Sequence, residues 1–186
     1  MKRAFDLFIS LTALIIFIVP MILIALLIKI NSAGPAFYWS DRVGRNNKIF
    51  KMPKFRSMKL NTPSVATHLL EEHERYLTKI GVWLRKLSLD ELPQLFSILK
   101  GDMSIVGPRP ALFNQSDLIE IRTSYGVHEL TPGLTGWAQI NGRDEIPIPA
   151  KVQLDCEYLE KQSFMFDMKI ILLTFLRVIE KKDVSH

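Results

Sequence analysis

Asp90 and Glu91 stand side by side in LSLDELPQLFSILKGDMSIVGPRP, Leu87 to Pro110, and at the far end of that stretch Arg109 is held between two prolines. Adjacent carboxylates suit two kinds of chemistry. One can act as a nucleophile, or the pair can share a divalent cation such as Mg²⁺ when a ligand's phosphates supply further oxygens. An arginine in the stiff turn Gly107-Pro108-Arg109-Pro110 is presented with little backbone freedom, which suits phosphate binding. The plainer reading is that Asp90 and Glu91 only start a helix, where unpaired N–H groups and the helix dipole favour a carboxylate. Ser88-Leu89-Asp90-Glu91 fits a capping box with Ser88 as N-cap. That register puts Pro93 deep enough in the helix for its missing N–H to matter. With Asp90 as the N-cap, Pro93 falls at N3 and is tolerated, so this register is preferred. Gly101, after Lys100, supplies the stop.

From Arg42 to Leu70 there is no acid, while Arg42, Arg45, Lys48, Lys51, Lys54, Arg56 and Lys59 supply seven basic groups. Solvent or lipid headgroups account for most of these charges. Lys54 and Arg56 flank Phe55 and on a strand would point to one face, which makes them the better site candidates. TPGLTGWAQINGR, Thr131 to Arg143, holds three glycines and ends in another arginine. It either wraps a ligand or makes tight turns around a buried Trp137. The single cysteine, Cys156, excludes an intramolecular disulfide and reads as a small buried residue. His68, His73, His128 and His186 lack a metal-ligand spacing. No zinc-finger spacing or RNP-like aromatic motif accompanies the basic residues, so no nucleic-acid partner is expected.

The elements that must position these groups begin at a membrane. A chain of 186 residues buries one core. Its apolar fraction of 48%, net charge of +5, mean hydropathy of +0.14 and pI near 9.3 make contact with membranes and anions plausible. Leu7 to Ile28 carries no charge. As a helix it would run roughly 33 Å, enough to cross a hydrocarbon core of about 30 Å. Pro20 within it favours a kink. Basic residues flank both ends, Lys2 and Arg3 before it and Lys29 and Arg42 after it, as expected if both ends stay cytoplasmic. A re-entrant hairpin and a straight span both remain open on these features, and the run is too long for a signal-peptide core. Downstream, Ala36 to Met58 reads as short strands joined by an Arg-Val-Gly-Arg-Asn-Asn turn. Asn61 to Thr67 is turn-rich, and Leu69 to Leu87 is helical with Gly81 weakening its middle. Two C-terminal helices follow. The apolar residues between Ile170 and Ile179 are too few to span, and they either lie in the interface or pack on the core.

Lys2-Arg3-Ala4-Phe5-Asp6, GPAFYWSDRVGR, KFRSM, LRKLSLDELPQLFSILKGDMSIVGPRP and PGLTGWAQINGR occur in this order along almost the whole chain. In that order they resemble the small bacterial monotopic phosphoglycosyl transferases, the polyprenyl-phosphate sugar-phosphate transferases. The resemblance implies transfer of a sugar 1-phosphate from a UDP-sugar to undecaprenyl phosphate with release of UMP. It implies Asp90 as the nucleophile of a phosphoryl-aspartate intermediate and Glu91 as its partner, the two positioning Mg²⁺. Arg109 is then the leading phosphate ligand, with Lys54, Arg56, Arg85 and Arg143 in support. It also implies a largely helical α/β fold at the bacterial inner membrane, with a catalytic domain (33–186) facing the cytoplasm and a re-entrant helix-break-helix (1–32) bent near Pro20 in the cytoplasmic leaflet. One departure is Val19 before Pro20, where the family often carries serine. Asp155 and Tyr158 match family positions and are assigned no catalytic role. The competing readings are a catalytically inactive membrane scaffold for later glycan enzymes and a one-pass anchored anion-binding protein. The sugar, the downstream glycan and the oligomeric state, homo-oligomer included, stay open.

Overall fold

The structure, a computed structural model, describes residues 1–63, 73–142 and 146–183. The chain opens with α1 (Lys2–Asn31), a single helix of 30 residues. The helical hydrogen bonding continues through Pro20, which sits inside the helix. Asp6, Ser10, Leu14, Met21, Ile24 and Ile28 recur at helical spacing and form one buried stripe along nearly its whole length. The opposite faces leave Phe8, Ile15, Ile16, Val19, Ile22 and Leu23 exposed, far more apolar surface than a water-facing helix carries.

The head of α1 is clasped by polar contacts rather than left among flanking charges. Lys2 Nζ donates to the Val106 carbonyl at 2.9 Å and to Asp167 Oδ2 at 2.6 Å. Tyr158 donates to the other oxygen of Asp167 at 2.7 Å. Arg3 donates to the carbonyls of Ile98 and Leu99, satisfying the open end of a later helix. Buried Asp6 accepts from Ser104 Oγ at 2.8 Å and from the Ile105 N–H at 3.1 Å.

A hairpin follows, β1 (Phe37–Val43) paired antiparallel with β2 (Ile49–Phe55), with Phe37 opposite Phe55 and Val43 opposite Ile49. Its loop is turned by Asn46 and Asn47, both at positive φ, a conformation asparagine tolerates better than most residues. These are the strands and the turn that the sequence suggests. The expected helix from Leu69 to Leu87 is shorter: part of it lies outside the described residues, and the helical portion is α2 (Lys79–Lys86), preceded by a 3₁₀ turn at His73–Tyr76. Gly81 has a packing reason, because a Cβ there would strike the Ser57 carbonyl. Asn61 to Thr67 falls largely outside the described residues.

Next come α3 (Gln94–Lys100), β3 (Ser104–Val106), α4 (Ser116–Ser124), β4 (Gly133–Thr135), α5 (Trp137–Ile140), α6 (Ile148–Lys161) and α7 (Phe164–Asp183). β3 and β4 pair in parallel, Ser104 opposite Gly133 and Val106 opposite Thr135. Here the two glycine motifs explain each other. A Cβ on Gly107 would meet the Gly133 N–H, and one on Gly133 would meet Gly107, so the backbones touch where side chains would normally stand. The TPGLTG stretch is therefore a strand pressed on the Gly-Pro-Arg-Pro turn, while Trp137 is only half-buried and donates to Glu157. The core joins the α1 stripe to Met52, Phe55, Ile98, Met103, Val106, Tyr158 and Ile170. A smaller cluster of Ala111, Leu118 and Val152 lies beside it.

Candidate active site

The chain reverses sharply before the carboxylate pair. Ser88 adopts φ 56, ψ 22, a left-handed conformation that costs a non-glycine residue about 1 kcal/mol. A 3₁₀ turn, Leu89–Glu91, follows, and α3 starts only after Pro93. The preferred register is thus corrected: Asp90 lies inside the 3₁₀ turn and caps nothing, and Ser88 makes no side-chain cap bond either. Proline before the helix explains this, since an initial N–H has no intrahelical partner to lose. The stop is as expected, with Gly101 left-handed at φ 100.

Asp90 and Glu91 line a cleft of about 530 Å³ together with Lys54, Arg85, Arg109 and Thr135. Lys54, on the face of β2 that also carries Met52, donates to Glu91 Oε1 at 2.8 Å. Arg109 approaches the same oxygen at 3.5 Å, an ionic contact rather than a good hydrogen bond. Asp90 is nearly buried, and no side-chain hydrogen bond from another described residue engages its carboxylate. Arg85 and Arg109 have further interactions of their own.

The two carboxyls are therefore in opposite electrostatic states. Burial pushes Glu91 up, but Lys54 and Arg109, with Arg42 further off, outweigh it and hold Glu91 at about 2. For Asp90 burial is again the largest influence, the Glu91 charge adds to it, and Lys54 and Arg85 fall short of cancelling it, so its pKa lies above the usual carboxylate value. Burial drags the Lys54 ammonium down and Glu91 opposes that. The 2.8 Å contact with a strongly acidic Glu91 makes the charged pair the neutral-pH state. Pairs of titratable groups driven apart in this way are characteristic of sites that do chemistry. Among the described lining residues four cations, Lys54, Arg85, Arg109 and Arg177, stand against two carboxylates, a positive balance suited to a diphosphate.

The turn carrying Arg109 is held from both sides. Arg42 Nη1 donates to the Pro110 carbonyl at 3.1 Å. Arg122 Nη1 donates to the Arg109 carbonyl at 2.8 Å, while its Nη2 and Nε reach Asp155 Oδ2 at 2.6 and 2.9 Å. Asp155 thus holds the guanidinium that braces the turn.

Lys54, Arg85, Asp90, Glu91 and Arg109 come together. Arg56 does not join them. Just beyond β2, its guanidinium donates to the carbonyls of Ser32 and Ala33 and to Ser32 Oγ at 2.7–2.8 Å, closing the C-terminal end of α1. It lines a separate hollow of about 410 Å³ with Lys59, Arg75 and Tyr76. Arg143 lies outside the described residues. Sequence reasoning did not single out Thr135, Gln139, Thr174 or Arg177, all on the cleft wall. The available signal was Arg177 itself, the one charged residue between Lys169 and Glu180. Among the described residues no group of three or more His, Cys, Asp or Glu side chains gathers as a metal site. A metal held by Asp90 and Glu91 would need oxygens from its substrate, which is the usual manner of Mg²⁺.

Residues 1–181 match the family model described as bacterial sugar transferase. The chain is 42% identical, over 96% of its length, to an undecaprenyl-phosphate glucose phosphotransferase of Komagataeibacter xylinus, of which it covers 36%. It is 40% identical to the UDP-glucose:undecaprenyl-phosphate glucose-1-phosphate transferase of Escherichia coli, covering 95% of this chain and 40% of that protein. With a sugar transferase of Bacillus subtilis, EpsL, it shares 40% identity over its whole length and 91% of the relative's. The chain thus spans well under half of two of these relatives and nearly all of the third. A match along almost the entire sequence leaves one assignment: this chain belongs to the bacterial sugar transferase family.

Proposed function

We propose that this protein transfers a sugar 1-phosphate from a UDP-sugar to undecaprenyl phosphate at the cytoplasmic face of a bacterial inner membrane. The observation that carries this reading is the split pair in the cleft: Glu91 is committed to Lys54 and Arg109, and Asp90 beside it is not. Lys54, Arg85 and Arg109 hold the donor diphosphate. An Asp90 oxygen attacks the β-phosphorus, the bond to the bridging oxygen breaks, and UMP leaves with the electron pair. An oxygen of undecaprenyl phosphate then attacks the same phosphorus, the bond to Asp90 breaks, and the carboxylate is regenerated as undecaprenyl-diphospho-sugar departs. Such transfers depend chiefly on alignment and charge neutralisation, which the cations supply. Mg²⁺ would be held by Asp90 and Glu91 and would neutralise part of the diphosphate charge. Relatives named for glucose and for N-acetylgalactosamine leave the donor as a UDP-linked hexose of unspecified kind.

The membrane part of the proposal is that α1 enters and stays on one side. Its head is clasped through Lys2, Arg3 and Asp6 and its tail through Ser32, all to the same folded unit. A straight span would carry one of these ends about 30 Å away across the hydrocarbon core. The exposed apolar faces of α1 are then the surfaces given to lipid.

The test is UMP release by the purified protein with undecaprenyl phosphate, Mg²⁺ and a panel of UDP-sugars, alongside Asp90→Asn. Release with a donor, lost in the variant, is the expected result. A variant that keeps full activity overturns Asp90 as the nucleophile, and a wild type that releases no UMP with any donor favours the inactive scaffold.

A further inference from the structure

The cleft has a second wall with a different character. Besides the carboxylate pair it is lined by the apolar side chains of Leu134, Ile140, Ile171 and Phe175, and by Arg177. Ile171, Thr174, Phe175 and Arg177 all belong to α7. The helix is fixed to the cleft by Thr174 Oγ1, 2.7 Å from Thr135 Oγ1 on β4. Arg177 is exposed, and among the described residues no hydrogen bond or ion pair engages it, unlike Arg85 and Arg109. On the same helix Leu172, Phe175 and Leu176 stand exposed at spacings of three and four, an apolar strip that shares Phe175 with the cleft.

An unpaired guanidinium in a cleft that is also lined by apolar side chains matches a ligand with one anionic head and a hydrocarbon tail. Building on the transferase reading above, we propose that α7 forms the acceptor half of the cleft. Arg177 binds the phosphate of the polyprenyl phosphate, and Ile171 and Phe175 take its first isoprene units. The donor diphosphate is held by Lys54, Arg85 and Arg109, so the two substrates reach Asp90 in turn through different residues of one cleft. Arg177 is in this sense a residue that selects the acceptor and does not touch the donor.

The experiment uses the full chain in nanodiscs of neutral phosphatidylcholine, which removes anionic headgroups as a rival source of phosphate. Farnesyl phosphate is titrated calorimetrically, without any UDP-sugar, into the wild type, Arg177→Ala and Arg177→Lys. Loss of a charge-assisted phosphate contact predicts about tenfold or greater weakening in Arg177→Ala, with partial recovery in Arg177→Lys. In turnover the KM for undecaprenyl phosphate rises by a similar factor while the KM for the UDP-sugar stays put. Equal affinity in wild type and Arg177→Ala, or no binding by the wild type, overturns the proposal. So does an effect of Arg177→Ala that is confined to binding of anionic vesicles, which would make the residue a headgroup contact. Arg177-dependent binding without turnover on any UDP-sugar would instead leave the acceptor site standing and sink the transferase reading.

Discussion

Two carboxylate–cation clusters lie on either side of the Pro-Arg-Pro turn, and they differ in what they leave undone. Behind the turn, Asp155 and Arg122 are both buried, bonded twice to each other, and Arg122 spends its remaining donor on the Arg109 carbonyl. In front of it, Glu91 takes Lys54 and Arg109, while Asp90 is buried beside them without a side-chain donor. The rear cluster is closed, so its charges are spent on holding backbone. The front cluster is open, so part of its field is available to a ligand. Burial of charge is therefore no guide to function here; whether the charges are mutually satisfied is.

Substitutions should separate the clusters. The largest effect is expected from Asp90→Asn, a fall of at least about 10³ in UMP release, the scale seen when a nucleophile is lost. Its stability should move the other way. A carboxyl whose folded pKa is raised contributes stability below its ordinary value of 3.8 and loses it as pH rises, so the ionised group costs stability at pH 7. The urea midpoint of Asp90→Asn should accordingly exceed the wild type's at pH 7, and the gap should close as pH falls toward 3.8. An unchanged midpoint would argue that Asp90 is not strained electrostatically.

Asp155→Ala should show the reverse pattern. Leaving Arg122 buried without its partner costs about 3–5 kcal/mol, a fall of roughly 6–20 °C in Tm for a chain of this size. Activity per folded molecule should fall less than in Asp90→Asn, and a larger fall would mean that the rear pair sets the Arg109 geometry more tightly than its burial implies.

Glu91→Gln gives a pH signature. Glu91 sits at about 2 instead of 4.5, so its ionised form stabilises the fold above pH 4.5 and that contribution is lost as pH falls from 4.5 toward 2. The stability difference between wild type and Glu91→Gln should shrink across that window in urea titrations, and a constant difference would contradict the ion pair with Lys54.

Arg56→Ala should cost about 1–3 kcal/mol by leaving the carbonyls of Ser32 and Ala33, just past α1, short of donors, with turnover per folded molecule retained. A loss of turnover without loss of stability would return Arg56 to the site. The smallest effect is expected at the exposed Lys51–Asp41 pair, where Lys51→Ala should change stability by less than about 0.5 kcal/mol in the same urea titrations.

The legible parts of this protein were those written in short-range pattern. The apolar run of α1, the β1–β2 hairpin with its Asn-Asn turn, the Gly101 stop and the grouping of Asp90, Glu91, Lys54, Arg85 and Arg109 can all be read from spacing or family resemblance. The misreadings share a cause. Asp90 looks like a cap because Pro93 was fitted into a helix that begins only after it. Arg56 shares alternation with Lys54, but the strand ends at Phe55 and the carbonyls of Ser32 and Ala33, just past α1, lie within reach.

What the sequence determined by itself is the inventory: a long apolar helix, two adjacent carboxylates, a stiff arginine turn and an excess of positive charge. These follow from residue type and periodicity, which act over a few positions. Only the tertiary structure decided how they are used. It brings Lys54 to Glu91 across 37 positions, Arg122 to Asp155 across 33 and Lys2 to Asp167 across 165. It also turns the lone arginine of α7 into the cleft. Long-range pairing of this kind depends on which backbones can approach, as at Gly107 and Gly133, and no local propensity encodes it.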